Sequence, residues 1–202
     1  MSYATFEQLE SQVFKKAKKR RVAVVEAADA HVLEAVRHAV EVGLVDPLLF
    51  GKRADVEARM AAMDMDITAW EIADCPEPAD SALQAGIAVK EGRADFILKG
   101  LIPTGQLLKG LFKEETGFRT GRLISHMNIV QLRTYPKLLA LCDAAINIAP
   151  TLEQKKDILQ NAVDSLTRMG ISQPKVAVLA SAETVNEKMP ESVDAAALKR
   201  MN

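Results

Sequence analysis

The sequence predicts an α/β protein with a mostly parallel sheet in a three-layer arrangement, and three observations carry that expectation. From Arg21 onward, short apolar runs alternate with segments whose apolar residues recur at helical spacing. Helix start and stop signals fall at the ends of those segments, with Asp29 and Thr151 at starts and Gly43 and Gly170 at stops. A chain of 202 residues with 49% apolar content is also long enough to bury a full core, as one domain or as two lobes.

In chain order, the run at 21–25 is the first predicted strand. Asp29 caps the next helix, where Val32, Leu33, Val36, Ala39 and Val42 share one face. A second strand at 47–50, a helix at 53–63, a short strand at 70–72, a helix at 79–91 and a strand at 96–99 continue the alternation. Pro103 stands at the first turn of a helix over 103–112, with Leu107, Leu108 and Leu111 at helical spacing. The apolar runs at 123–132 and 138–148 have strand-like lengths. Thr151 with Gln154 forms a capping-box pattern for a helix reaching about Met169. The run at 175–179 is a further expected strand, and 193–201 a final helix. A lobe boundary is expected near Tyr135-Pro136, giving lobes of 1–135 and 136–202.

Charge and cysteine usage narrow the function classes. Lys plus Arg (26) balances Asp plus Glu (27), so neither nucleic acid nor an anionic membrane is the expected partner and any anion site is local. The start of the chain carries Lys15, Lys16, Lys18 and Lys19 without an apolar run of signal-peptide length, which places the expected compartment in the cytoplasm. Cys75 and Cys142 lack metal-ligand or CxxC spacing and read as unpaired thiols; His31 and His38 read as surface residues of a helix, and no metal site is expected.

Ligands in open α/β sheets collect at the carboxyl ends of the strands, where loop amides and helix starts converge. Three stretches qualify. Around the strand at 96–99, Lys99 and Lys109 offer charge, Gly100 lets a ligand approach the backbone, and Thr104 offers a hydroxyl. This stretch reads either as an anion site or as a plain strand-glycine-helix turn. The second stretch holds Arg119 and Arg122, whose planar forks suit phosphate oxygens, unless they are two solvated arginines of a surface loop. It ends on Ser125, placed to donate a hydrogen bond, and His126, which reads as a structural residue more readily than as a catalyst. In the third, Asp143 and Asn147 interrupt an apolar run and either pin backbone or face a cleft, backbone pinning being the commoner outcome.

Taken together, the string Arg119-Thr120-Gly121-Arg122-Leu123-Ile124-Ser125-His126, then Tyr135-Pro136-Lys137-Leu138-Leu139, the stretch from Cys142 to Pro150, the run at 175–179, and Pro190 to Leu198 resemble the phosphate butyryltransferase and phosphate acetyltransferase family in order. The resemblance implies a two-lobed fold like that of isocitrate and isopropylmalate dehydrogenases, and usually a homodimer. It implies transfer of a butyryl or acetyl group between coenzyme A and phosphate, with coenzyme A as co-substrate and no bound cofactor. On matching positions it assigns Lys99, Gly100, Thr104, Lys109, Arg119, Arg122, Ser125 and His126 to holding phosphate or coenzyme A. The family continues past the equivalent of Asn202, and the serine, arginine and aspartate that its acetyltransferase branch uses at the reacting centre lie there, so no catalytic residue carries over. The second lobe is accordingly expected to be truncated. Two other readings stay open: a catalytically incomplete module that binds coenzyme A or phosphate, and a dehydrogenase of the same broad fold, against which the missing dinucleotide fingerprint counts.

Overall fold

A computed structural model describes residues 3–15 and 18–201. Met1, Ser2, Lys16, Ala17 and Asn202, which fall within the expected lobes and the lysine-bearing start, lie outside the description. The chain divides into two compact units, Val13–Thr120 and a second made of residues through Gln12 together with those from Gly121 onward. The division falls at Thr120/Gly121, so the boundary expected near Tyr135 lies inside the second unit.

In the first unit the elements are β1 (Arg20–Val25), α2 (Ala30–Glu41), β2 (Val45–Gly51), α3 (Arg53–Ala61), β3 (Glu71–Asp74), α4 (Pro78–Lys90), β4 (Phe96–Lys99) and α5 (Thr104–Leu111), ending in a 3₁₀ turn at Glu114–Thr116. They follow α1 (Phe6–Lys15), which was not among the elements expected from the sequence although Thr5 caps it, accepting from the Gln8 N–H at 3.3 Å. The four strands form one parallel sheet in the order β3-β2-β1-β4. β1 lies in the middle, with Val22 beside Pro47 on one side and Phe96 on the other. It is buried on both faces, as a parallel strand under crossover helices must be.

Alternation along β1 assigns the helices to faces. Ala23 and Val25 pack with Leu48, Phe50, Ala82, Ala85 and Leu107, hence with α4 and α5. Val22 and Val24 pack with Leu49, Leu33, Val36, Val56 and Met60, hence with α2 and α3. The chain therefore leaves β1 toward one face and leaves β4, its neighbour, toward the other. In open α/β sheets, ligands bind at the carboxyl ends of such a strand pair.

Local signals explain the helix starts. The Asp29 side chain accepts from the Val32 N–H at 3.0 Å. Pro103 occupies the cap position rather than the first turn expected of it. α5 lies tightly on α4 because Gly110 has no side chain: a Cβ there would stand 2.5 Å from the Ala82 Cβ.

The second unit contains β5 (Met127–Val130), β6 (Leu139–Cys142), α6 (Leu152–Arg168) and α7 (Pro190–Met201). β5 and β6 pair antiparallel in a two-stranded sheet separate from the first, and both are shorter than the apolar runs that contain them. α6 opens with the predicted capping box, Thr151 accepting from Gln154 N–H and its own N–H donating to the Gln154 side chain at 2.8 Å. The expected strand at 175–179 does not form. Its pattern suits a strand, but no neighbouring strand takes its backbone bonds among the described residues, and Leu179 stays 82% exposed. Tyr3 ties the start of the chain into this unit through its hydroxyl, which donates to the Met169 carbonyl at 3.0 Å.

Candidate functional site

Five of the sequence-predicted residues fall in the first unit. Lys99 ends β4, exposed, with its ammonium 3.5 Å from the Gly100 carbonyl. Thr104 begins α5, also exposed; Pro103 supplies no capping side chain, so the first amides of the helix remain open to an external acceptor. Lys109 lies in the last turn, where a cation complements the helix dipole. Arg119 spends only its Nε, on the Phe112 carbonyl at 2.9 Å. None of Lys99, Lys109 and Arg119 enters an ion pair with a described carboxylate, although the chain forms such pairs elsewhere.

Gly100 is the exception to the expectation. A Cβ there would sit 2.3 Å from the Glu26 carbonyl oxygen and 2.4 Å from that of Val25. The space that glycine leaves is filled by the end of β1, not kept open for a ligand. The Gly100 N–H donates to Val25 at 2.8 Å and the Leu101 N–H to Glu26 at 3.2 Å, sealing the strand ends together.

The other three residues belong to the second unit. Arg122 is engaged with its own helix partner: Nη1 lies 2.7 Å from Asp164 and 3.3 Å from the Asn161 side-chain oxygen. The Ser125 hydroxyl accepts from the Asn161 amide at 3.0 Å, which leaves its hydrogen free for the donation expected of it. His126 is held through its backbone N–H, which donates to Asp143 at 3.0 Å, while its ring Nδ1 is buried without a partner. Arg122, Ser125, Asn161, Ser165 and Arg168 line a shallow concavity of about 260 Å³.

Asp143 and Asn147 prove to be backbone pins. Asp143 accepts from the N–H groups of His126, Ala145 and Ile146, and from the Asn147 amide. Asn147 also donates to the Ile124 carbonyl at 2.9 Å. Burial acts to raise the Asp143 pKa, but these bonds outweigh it and hold the carboxyl well below the usual carboxylate range. Cys75 and Cys142 are unpaired, and burial pushes both thiols up, away from the reactive thiolate. No group of three metal-ligating side chains gathers among the described residues.

Glu26 escaped the sequence reading. It follows directly on β1, and its φ of 52° is a left-handed conformation that a non-glycine residue adopts at about 1 kcal/mol or more. The conformation is fixed from both sides: its N–H donates to the hydroxyl of fully buried Ser81 at 3.3 Å, and its carbonyl accepts from Leu101. Its carboxylate makes no bond to a described residue, and Oε1 is buried without a partner. The available signal was position, a charged residue immediately after an all-apolar central strand.

Comparison with known proteins bears on what these sites serve. A family profile described as "Phosphate acetyl/butaryl transferase" matches residues 5–81 and 76–201. The chain belongs to this family. Relatives include the phosphate butyryltransferase of Clostridium acetobutylicum, 38% identical over 183 residues that make up 91% of this chain and 61% of that protein. The phosphate acetyltransferase of Thermotoga maritima is 37% identical over 92% of this chain and 63% of its own length. Among solved structures, a branched-chain phosphotransacylase from Enterococcus faecalis V583 superposes with a TM-score of 0.77 at 29% identity, covering 90% of this chain and 63% of the other. A phosphotransacetylase from Streptococcus pyogenes, at a TM-score of 0.70 and 18% identity, shares the fold. The chain thus spans somewhat less than two thirds of the relatives it matches.

Proposed function

We propose that this chain carries the phosphate- and coenzyme A-handling part of a phosphate acyltransferase, interconverting acyl-CoA plus phosphate with acyl phosphate plus coenzyme A for a short acyl group, butyryl or acetyl. The observation that carries the reading is family membership along nearly the whole chain, residues 5–201. The cations without carboxylate partners support it.

In the direction of thioester synthesis, a general base takes the proton of the coenzyme A thiol and the sulfur attacks the carbonyl carbon of the acyl phosphate. The carbonyl electrons move to oxygen in a tetrahedral oxyanion, which collapses with departure of phosphate. Most of the barrier is electrostatic and positional. Lys99 and Arg119 hold phosphate oxygens, Arg119 with the guanidinium nitrogens its Phe112 contact leaves free. Thr104 and the open amides of α5 take further oxygens. Lys109 adds positive charge in the first unit; in the second, Arg122, Ser125 and His126 hold oxygens of phosphate or coenzyme A, Arg122 while paired with Asp164. The protein works as a cytoplasmic homodimer with coenzyme A as co-substrate.

A second reading is a binding module without turnover, because every residue assigned above holds oxygens of phosphate or coenzyme A and none of them takes the thiol proton. Incubating the chain with butyryl phosphate and coenzyme A while following loss of free thiol separates the two. Thiol consumption that requires the chain supports the enzyme. Binding of coenzyme A in calorimetry with no consumption supports the module, and neither binding nor consumption overturns both.

A further inference from the structure

We propose that Glu26 is a ligand-binding residue whose carboxylate accepts a hydrogen bond from a neutral N–H or O–H group of the pantetheine arm of coenzyme A, at the carboxyl end of the sheet where β1 ends beside β4. The inference rests on the acyltransferase reading for the identity of the ligand. Its basis in the protein is independent of that reading.

Three features converge on this residue. The first is an unsatisfied acceptor on a half-buried residue: Oε1 is buried without a hydrogen-bond partner among the described residues. A buried acceptor without a donor destabilises the free protein, and such groups persist where a ligand completes them. The second is a left-handed backbone, held by Ser81 from α4 and by Leu101 from the turn after β4. Glycine would meet that conformation without strain, so the Glu26 side chain stands where the backbone geometry favours glycine. The third is location. β1 and β4 are adjacent parallel strands whose chains leave toward opposite faces, and Glu26 stands at the carboxyl end of the first while Lys99 ends the second.

The chemistry of the carboxylate selects the ligand group. An ionised Glu only accepts, and it repels phosphate. Asp74, Asp80 and Glu26 all act on the Cys75 thiol, so this side of the sheet end is acidic, whereas Lys99 and the open start of α5 are suited to anions. Coenzyme A offers both kinds of group, phosphates for the latter and amide or hydroxyl donors along its pantetheine arm for the former. Its adenosine part also carries donors, and the two sources are separable by fragment.

The test is calorimetric titration of the 202-residue chain, wild type and Glu26→Gln, with 4'-phosphopantetheine and separately with adenosine 3',5'-bisphosphate, alongside thermal melts. Loss of one charged hydrogen bond predicts phosphopantetheine binding about tenfold or more weaker in E26Q, with adenosine bisphosphate binding unchanged. The melting temperature stays level or rises, because the charge is removed from a carboxylate of which one oxygen is buried without a partner. Glu26→Gly gives the same ligand pattern with a clearer rise in melting temperature, since it also relaxes the backbone, and it guards against misfolding of the first variant. Undiminished phosphopantetheine binding in both variants overturns the proposal, as does weakening confined to adenosine bisphosphate, or a lowered melting temperature with ligand affinity intact. A wild-type chain that binds neither coenzyme A nor either fragment sinks the acyltransferase reading as well, an outcome distinct from intact binding that the variants leave untouched.

Discussion

Asp143 takes four hydrogen bonds in a stretch that interrupts an otherwise apolar run, and three of the donors are backbone amides. The Asn147 amide supplies the fourth. Its folded pKa is lowered, so its contribution to stability is complete above the unfolded value of about 3.9 and drains away as pH falls below it toward the folded value. In Asp143→Asn the new amide must turn a donor toward donors at His126 or Asn147. That variant is expected to melt several degrees lower at pH 7, with the gap to wild type closing as the pH is taken from 5 to 3; a gap constant with pH would mean the charge is not what these bonds recognise. The two arginines make a contrasting pair. Arg119→Ala is expected to raise the Michaelis constant or dissociation constant for phosphate or coenzyme A and leave the melting temperature alone, because its one bond is at the surface. Arg122→Ala also removes a half-exposed ion pair with Asp164, worth about 0–1 kcal/mol, so a small stability loss accompanies any binding effect in thermal melts. Sequence spacing presented these arginines as equivalents, since it reveals the side chain but not the carboxylate 42 residues away that occupies one of them.

Elements whose identity depends on local chemistry were legible: the Asp29 cap, the capping box at Thr151 and the strand at 96–99 all stand where the pattern put them. Elements that need a partner were not. The run at 175–179 has the composition of a strand, yet among the described residues no strand accepts its backbone groups. α1 went unread although Thr5 and Gln8 carry a capping pattern, the Gln8 N–H donating to the Thr5 hydroxyl at 3.3 Å and the Gln8 side chain accepting from the Ala4 N–H at 2.8 Å. Gly100 was open to two readings for a related reason, because glycine marks a close approach without naming what approaches. The structure names the end of β1, and this has a direct consequence for the sheet. Gly100→Ala places a methyl within 2.4 Å of two carbonyl oxygens, neither of which is the end of a flexible side chain. β4 must shift away from β1, at about 1–3 kcal/mol or more. Denaturant melts are expected to show that loss, whereas an unperturbed midpoint would mean that the strand ends separate freely. The smaller comparison is Thr151→Ala, which removes one side of the α6 cap and is expected to lower stability by about 1 kcal/mol in the same experiment.

At the scale of the molecule, the parallel alternation of the first unit and its packed core follow from period and burial, while the division at Thr120/Gly121 has no mark in composition. The two units also differ in how their backbone groups are protected. In the first, β1 and β2 are each paired on both sides, and Val22 to Val25 and Leu48 to Phe50 are at most 2% exposed. In the second, the sheet has only two strands, and Ile158 is the one buried residue of the 17-residue α6. Local opening follows burial and pairing, so amide exchange should be graded along the same lines. The slowest amides are expected in β1 and β2, intermediate ones in β5, β6 and α6, and the fastest over 171–189, where regular structure is absent. Hydrogen exchange followed by mass spectrometry reads this directly from peptides covering each stretch. Slow exchange at 175–179 would show that its apolar alternation does find a strand partner, and the expectation drawn from the sequence would then be right where the described structure leaves that segment unpaired.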